Sequence, residues 1–114
     1  MESIEDWIEA LKQSGKLVLV EGKKDKQALQ LLGLEWIMMI AGKSTYKVVD
    51  EVEQKKVREV VILTDLDSEG RRLYARLKRA FERGGIKVDR KFREFLFSET
   101  KYSTIEGIKA PFGV

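Results

Sequence analysis

Short, uninterrupted apolar runs that alternate with helical repeats constrain this chain most. Leu17–Val20, Trp36–Ala41 and Val60–Thr64 contain only apolar or β-branched residues, and a helix-patterned segment follows each. A strand that is apolar at every position is buried on both faces, the condition inside a parallel sheet covered by helices. Ahead of the first run, Ile4, Trp7, Ile8 and Leu11 recur at i, i+3, i+4 and i+7, with Ser3 as N-cap and Gly15 as stop. A second helix starts near Asp25 and ends at Gly33. A third starts from Ser44 and buries Val48, Val49 and Val52. A fourth runs from a Ser68 cap to Gly84-Gly85, and IKVDRKF supplies a fourth strand. Trp7 and Trp36 sit in apolar patterns and read as core. Beyond Phe97 the pattern is weak; Thr104–Gly107 fits a helix start or a substrate-side loop equally well, and the single proline, Pro111, lies in this tail.

Strands alternating with helices build βαβ units. The expected architecture is a single α/β domain over residues 1–114: three layers, Rossmann-like, with a mostly parallel sheet of about four strands and helices on both faces. No stretch reaches the roughly 18 apolar residues of a membrane span. The acidic, amphipathic start is unlike a signal peptide, so the expected location is the cytoplasm. Histidine and cysteine are absent, which removes the usual general base, the usual zinc ligands and all thiolate chemistry. Charged residues make up 36% and asparagine is missing, a composition that leans toward heat-adapted proteins.

In a doubly wound sheet, sites form just beyond the carboxyl ends of the strands. Glu21 follows the first strand; Asp65 and Asp67 follow the third. Side chains at i and i+2 of an extended segment point the same way, so Asp65 and Asp67 can converge. Clustered carboxylates repel unless a cation joins them. Mg²⁺ suits such a set, because it takes one or two carboxylates and completes its shell with water and phosphate. Gly22 and Gly70 follow these acids, where backbone can approach a ligand closely. Past them the chain turns basic: Arg71 to Arg93 holds ten Lys/Arg against Glu82 and Asp89. On the fourth helix Arg72, Arg76, Arg79 and Arg83 line one face beside a core stripe of Leu73, Leu77, Ala80 and Phe81. That basic face suits a phosphodiester backbone and equally fits a solvated surface. Gly42-Lys43-Ser44 echoes the end of a P-loop, but Ile37 stands where its first glycine is required, so Ser44 reads as a helix cap.

Two motifs, E-G-x-x-D at Glu21 to Asp25 and D-x-D-x-x-G at Asp65 to Gly70, resemble those of the Toprim domain, shared by topoisomerases, bacterial primases, repair proteins and small nucleases. The resemblance covers about Lys16 to Val88. Topoisomerases continue as D-x-D-x-D where this chain has Glu69, so primase-like and small-nuclease members match better. In size it is most similar to small stand-alone Toprim proteins of archaea and bacteria. The resemblance implies Mg²⁺, with Mn²⁺ able to substitute, held by Asp65 and Asp67. Glu21 would act as general acid/base or share the metal, and Gly22, Asp25 and Gly70 match further motif positions. It implies cleavage or transfer at a phosphodiester of RNA or DNA, with Lys23, Arg71, Arg72, Arg76, Arg79 and Arg83 on the nucleic acid. The alternative is a module that binds nucleic acid or a nucleotide, or docks a partner protein, without chemistry.

Overall fold

A computed structural model describes residues 1–108. Helices and strands alternate along them: α1 (Ile4–Ser14), β1 (Leu17–Val20), α2 (Lys23–Leu31), β2 (Ile37–Met39), α3 (Thr45–Gln54), β3 (Glu59–Leu63), α4 (Ser68–Arg83), β4 (Lys87–Val88) and α5 (Lys91–Glu99). The sheet runs β2-β1-β3-β4 with every pair parallel. β1 and β3 lie at its centre, Leu17 opposite Val60 and Val20 opposite Leu63. The residues just beyond these two strands therefore emerge side by side at one edge.

The two-residue period of a strand sends its side chains to opposite layers. Val18, Val20, Val61 and Leu63 pack with Trp7, Leu11, Leu29, Phe92 and Leu96 of α1, α2 and α5. Leu17, Leu19, Val60 and Ile62 pack with Val48, Val52, Leu77 and Phe81 of α3 and α4. This is the three-layer α/β architecture expected from the continuous apolar runs. Burial of each large side chain contributes about 1.5–3 kcal/mol, so these two layers supply most of the drive to fold. The buried indole of Trp7 also donates from Nε1 to the Phe92 carbonyl at 2.8 Å, which pins α1 to α5.

Three local readings are corrected, and one left open is settled. Trp36 is not core: β2 is a short strand at the open edge, and Trp36, just before it, is 46% exposed because no neighbour covers that side. The cap of α4 is Asp67 rather than Ser68, which is the first helical residue. The fourth strand shrinks to Lys87–Val88, and the chain from Lys91 onward forms α5 instead, burying Phe92 and Leu96 one turn apart. Of the two readings of Thr104–Gly107 the loop holds rather than the helix start, and it lies beside the acids, the Ile105 amide donating to Asp65 Oδ1 at 3.0 Å. It is a turn in which the Gly107 amide donates to Thr104 Oγ1 at 3.0 Å, and Ile105 and Ile108 are buried beside α1 and α5. Pro111 lies outside the described residues. Among those described, no helix is long and apolar enough to cross a membrane.

A charge cluster holds the ends of three strands. Asp89, 8% exposed, accepts from Lys16 Nζ at 2.5 Å and from the Lys91 amide at 3.1 Å, and Lys16 also reaches Glu59 at 3.3 Å. Burial pushes the Asp89 carboxyl up, but Lys16 and Lys91 outweigh it and hold the group below its ordinary 3.8. Burial likewise pulls Lys16 down, and its acidic partners outweigh that, leaving it above 10.5. The sign follows from linkage: the Asp89 contribution is present above the carboxylate range and lost as pH falls through the depressed folded value, while that of Lys16 is lost only at strongly alkaline pH. Asp89→Asn should cost about 2 kcal/mol at neutral pH. In denaturant titrations its deficit against the wild type should shrink below pH 3.8. A deficit that stays constant down to the acid transition would contradict the ion-pair account.

Candidate active site

The carboxyl ends of β1 and β3 bring two predicted acids together. Glu21, directly after β1, accepts from the Asp65 amide through Oε2 at 2.7 Å. Asp65 in turn accepts from the Ile105 amide through Oδ1 at 3.0 Å. Asp67 accepts from the Gly70 amide through Oδ1 at 2.7 Å, the N-cap bond of α4. Each acid is thus held by one oxygen. The other oxygens, Glu21 Oε1, Asp65 Oδ2 and Asp67 Oδ2, accept no hydrogen bond among the described residues. Glu21 and Asp65 are half-buried and Asp67 is exposed.

Asp25 completes the first motif from below. It is 9% exposed and accepts from the Gly22 amide at 3.0 Å, closing the first turn of α2. Burial pushes the Glu21 carboxyl up; the Asp65 amide opposes this, and the negative charges of Asp65, Asp67 and Asp25 add to it. Burial also raises Asp25, opposed by the Gly22 amide and reinforced by Asp65 and Glu106. Among the described residues no group of three acids is drawn close enough to hold one ion. Asp67 itself keeps an extended backbone as the N-cap of α4, and its Oδ1 is turned to the Gly70 amide. The donor set nevertheless suits Mg²⁺, which needs only one or two carboxylates and takes the rest of its shell from water and phosphate.

The two motif glycines have different reasons. A Cβ at Gly70 would meet the Asp65 carbonyl oxygen at 2.1 Å, so this glycine lets α4 start against the backbone of its own acidic loop. The buried Thr64 hydroxyl locks the same junction by donating to the Gly70 carbonyl at 2.7 Å. Gly22 has no such neighbour: its nearest atom is Asp25 Oδ2 at 4.0 Å, and its backbone is extended. The missing side chain there leaves room beside Glu21.

Arg93 of α5 carries no signal of its own in the sequence. Its Nε donates to the Thr64 carbonyl at 3.1 Å and its Nη2 to the Asp65 carbonyl at 2.7 Å, while the guanidinium lies 4.6 Å from the Tyr74 ring centre and 5.1 Å from that of Phe97. The planar fork thus grips the acidic loop from behind. Only recognising α5, with Phe92, Phe95 and Leu96 as its inner face, would have brought it to the site. Arg93→Ala should cost about 3 kcal/mol, since two carbonyls lose charged donors. Arg93→Lys should recover less than half of that, because an ammonium cannot reproduce the fork. Full recovery by Lys in urea melts would show that charge alone matters.

The predicted basic residues are placed less tightly. Lys23 is exposed at the start of α2, and Arg71, Arg72, Arg76, Arg79 and Arg83 are exposed on α4. α4 begins at the acids and runs away from them, so the step from Arg72 to Arg83 carries the stripe about 16 Å from the site.

The model of the Toprim domain matches residues 16–97. A UPF0292 protein of Methanocaldococcus jannaschii is 39% identical, over 97% of this chain and 88% of its own length. A UPF0292 protein of Methanosarcina barkeri is 30% identical, over 95% and 79%. A solved structure of a protein from Aquifex aeolicus superposes with a TM-score of 0.88 at 34% identity, covering 95% of this chain and all of that one.

Proposed function

The chain belongs to the Toprim domain family, and on that premise we propose that it is a Mg²⁺-dependent phosphodiesterase that cleaves, or transfers at, the backbone of RNA or DNA. Toprim domains generally bind a divalent metal, typically Mg²⁺, and act on nucleic acids. The observation that carries the reading is the shared geometry of Glu21 and Asp65. They stand on adjacent central strands, joined through the Asp65 amide at 2.7 Å, each with one oxygen left open.

Asp65 Oδ2 and Asp67 Oδ2 would hold the ion, leaving Glu21 Oε1 off the metal for proton transfer. Mg²⁺, when bound, lowers the pKa of water and offsets charge on a phosphoryl group. With no histidine in the chain, proton movement falls to Glu21. Burial and its acidic neighbours make this carboxyl hold a proton more readily than usual. It can then give a proton to a leaving oxygen, or take one from an attacking hydroxyl, through Oε1. The space over Gly22 admits a phosphate oxygen, Arg71 and Arg72 meet the backbone nearest the acids, and the remaining arginines follow it along α4.

The test is a panel of single- and double-stranded RNA and DNA incubated with Mg²⁺, Mn²⁺ or chelator. Cleavage is expected with either ion and none with chelator. Mg²⁺ at a hundred times its Kd should stabilise the protein by about 2.7 kcal/mol, several degrees in melting temperature. Arg76→Ala with Arg79→Ala should weaken binding and lower the log–log salt slope by about 0.7–0.9 per lost phosphate contact, with the Mg²⁺ response unchanged. One observation favours a second reading, a binding module without chemistry: Asp67 already serves as a helix cap, and among the described residues no three acids are preassembled. Binding without cleavage across the panel, together with a melting curve that Mg²⁺ leaves unmoved, would select it.

A further inference from the structure

The open edge of the sheet carries a groove that the carboxylate site does not use. It lies along β2, between α2 and the end of α3, encloses about 300 Å³ and is walled by Trp36, Met39, Lys26, Lys43, Glu51 and Lys55. We infer that this groove binds a single-stranded segment of nucleic acid, one base stacked on Trp36 and the backbone running past Lys26 and Lys55. The inference rests on the phosphodiester reading above and extends it to the form of the substrate.

Three observations converge. Trp36 is 46% exposed and also walls a second depression with Lys12, Gly33 and Leu34, so the indole stands between two concavities instead of against the core. An exposed indole beside a cationic groove is the combination that holds unpaired bases: the ring offers a stacking face and the lysines track the phosphates. The charge fits a polyanion. Lys43 is paired with Glu51 at 2.9 Å, while Lys26 and Lys55 make no ion pair among the described residues. Finally, the groove leads to the acids, because Ala41 at its upper end donates its amide to the Glu21 carbonyl at 2.9 Å. A strand lying along β2 thus arrives beside Glu21.

The geometry selects a single strand over a duplex, whose base faces are already covered by their neighbours in the stack. It also selects against a second copy of this chain. Edge-to-edge pairing of two β2 strands would set Lys26 and Lys55 of one against those of the other, the arrangement by which edge strands avoid pairing.

Tryptophan fluorescence tests this directly. Trp7 is fully buried, so a change in emission on titration reports Trp36. In chelator, to prevent cleavage, single-stranded RNA and single-stranded DNA oligonucleotides should quench that emission, and a blunt duplex of the same length should do so far less. Trp36→Ala should weaken single-strand binding about 5- to 150-fold, the loss of one stacked base, and Trp36→Phe should restore part of it. Lys26→Ala with Lys55→Ala should flatten the salt dependence. Binding that leaves Trp36 emission unchanged and is equal in Trp36→Ala would overturn the inference while leaving the phosphodiester reading standing. A wild-type dimer in sedimentation that Trp36→Ala converts to monomer would overturn it in favour of self-association. Quenching without metal-dependent cleavage anywhere in the panel would support the groove and remove the phosphodiester reading instead.

Discussion

Glu21→Gln is expected to lower metal-dependent turnover about 10²- to 10⁴-fold, the range a positioned acid or base contributes, while the fold stands. The amide keeps an oxygen that can accept from the Asp65 amide, the bond now made by Oε2 at 2.7 Å. What it loses is the proton. It also removes one charge from a neighbourhood shared by Asp25, Asp65 and Asp67. The metal-free melting temperature should therefore rise as turnover falls. Glu21→Ala should instead lose both, because the half-buried Asp65 amide is left without its acceptor. Steady-state rates of the Gln variant within tenfold of the wild type would remove Glu21 from the chemistry.

Gly70→Ala should be the most destabilising single-methyl change in the protein. In an ordinary helix the substitution gains about 1 kcal/mol. Here the new Cβ would meet the Asp65 carbonyl oxygen at 2.1 Å and its carbonyl carbon at 2.8 Å, both backbone atoms. Overpacking of this kind costs about 3 kcal/mol, which for a chain of this length is a fall of about 10 °C or more. The displaced Asp65 also carries the bonds to Glu21, Ile105 and Arg93, so metal binding should weaken with stability. Gly22→Ala is the control. With nothing nearer than 4.0 Å and an extended backbone, it should change stability by under about 0.5 kcal/mol. A melting temperature for Gly70→Ala equal to the wild type would contradict the steric account.

Much of this arrangement is legible in the sequence, for reasons that also explain what is not. Buried parallel strands announce themselves because no position can be polar, so β1 and β3 stand out and Glu21 and Asp65 fall at their ends. The Ser3 and Ser44 caps are readable because capping is local chemistry. Trp36 misleads because an apolar run looks the same on a central strand and on an edge; only the strand order decides, and that depends on distant pairings. Arg93 stays hidden because its role exists only once α5 has folded back onto β3. The capping role of Asp67 reads one residue late, at Ser68, because both residue types cap helices and only the folded turn decides between them.

The hold of residues 103–105 on the acidic loop has a consequence for the order in which the protein folds. The Leu66 amide donates to the Ser103 carbonyl at 3.0 Å, and the Ile105 amide donates to Asp65. All four strands lie within the first 88 residues, yet the Asp65 carboxylate takes its hydrogen bond from residue 105. The sheet is therefore complete in the chain before the segment that sets Asp65, so contacts from residues 103–105 can order the acidic loop only as a late step, onto a sheet that does not need them.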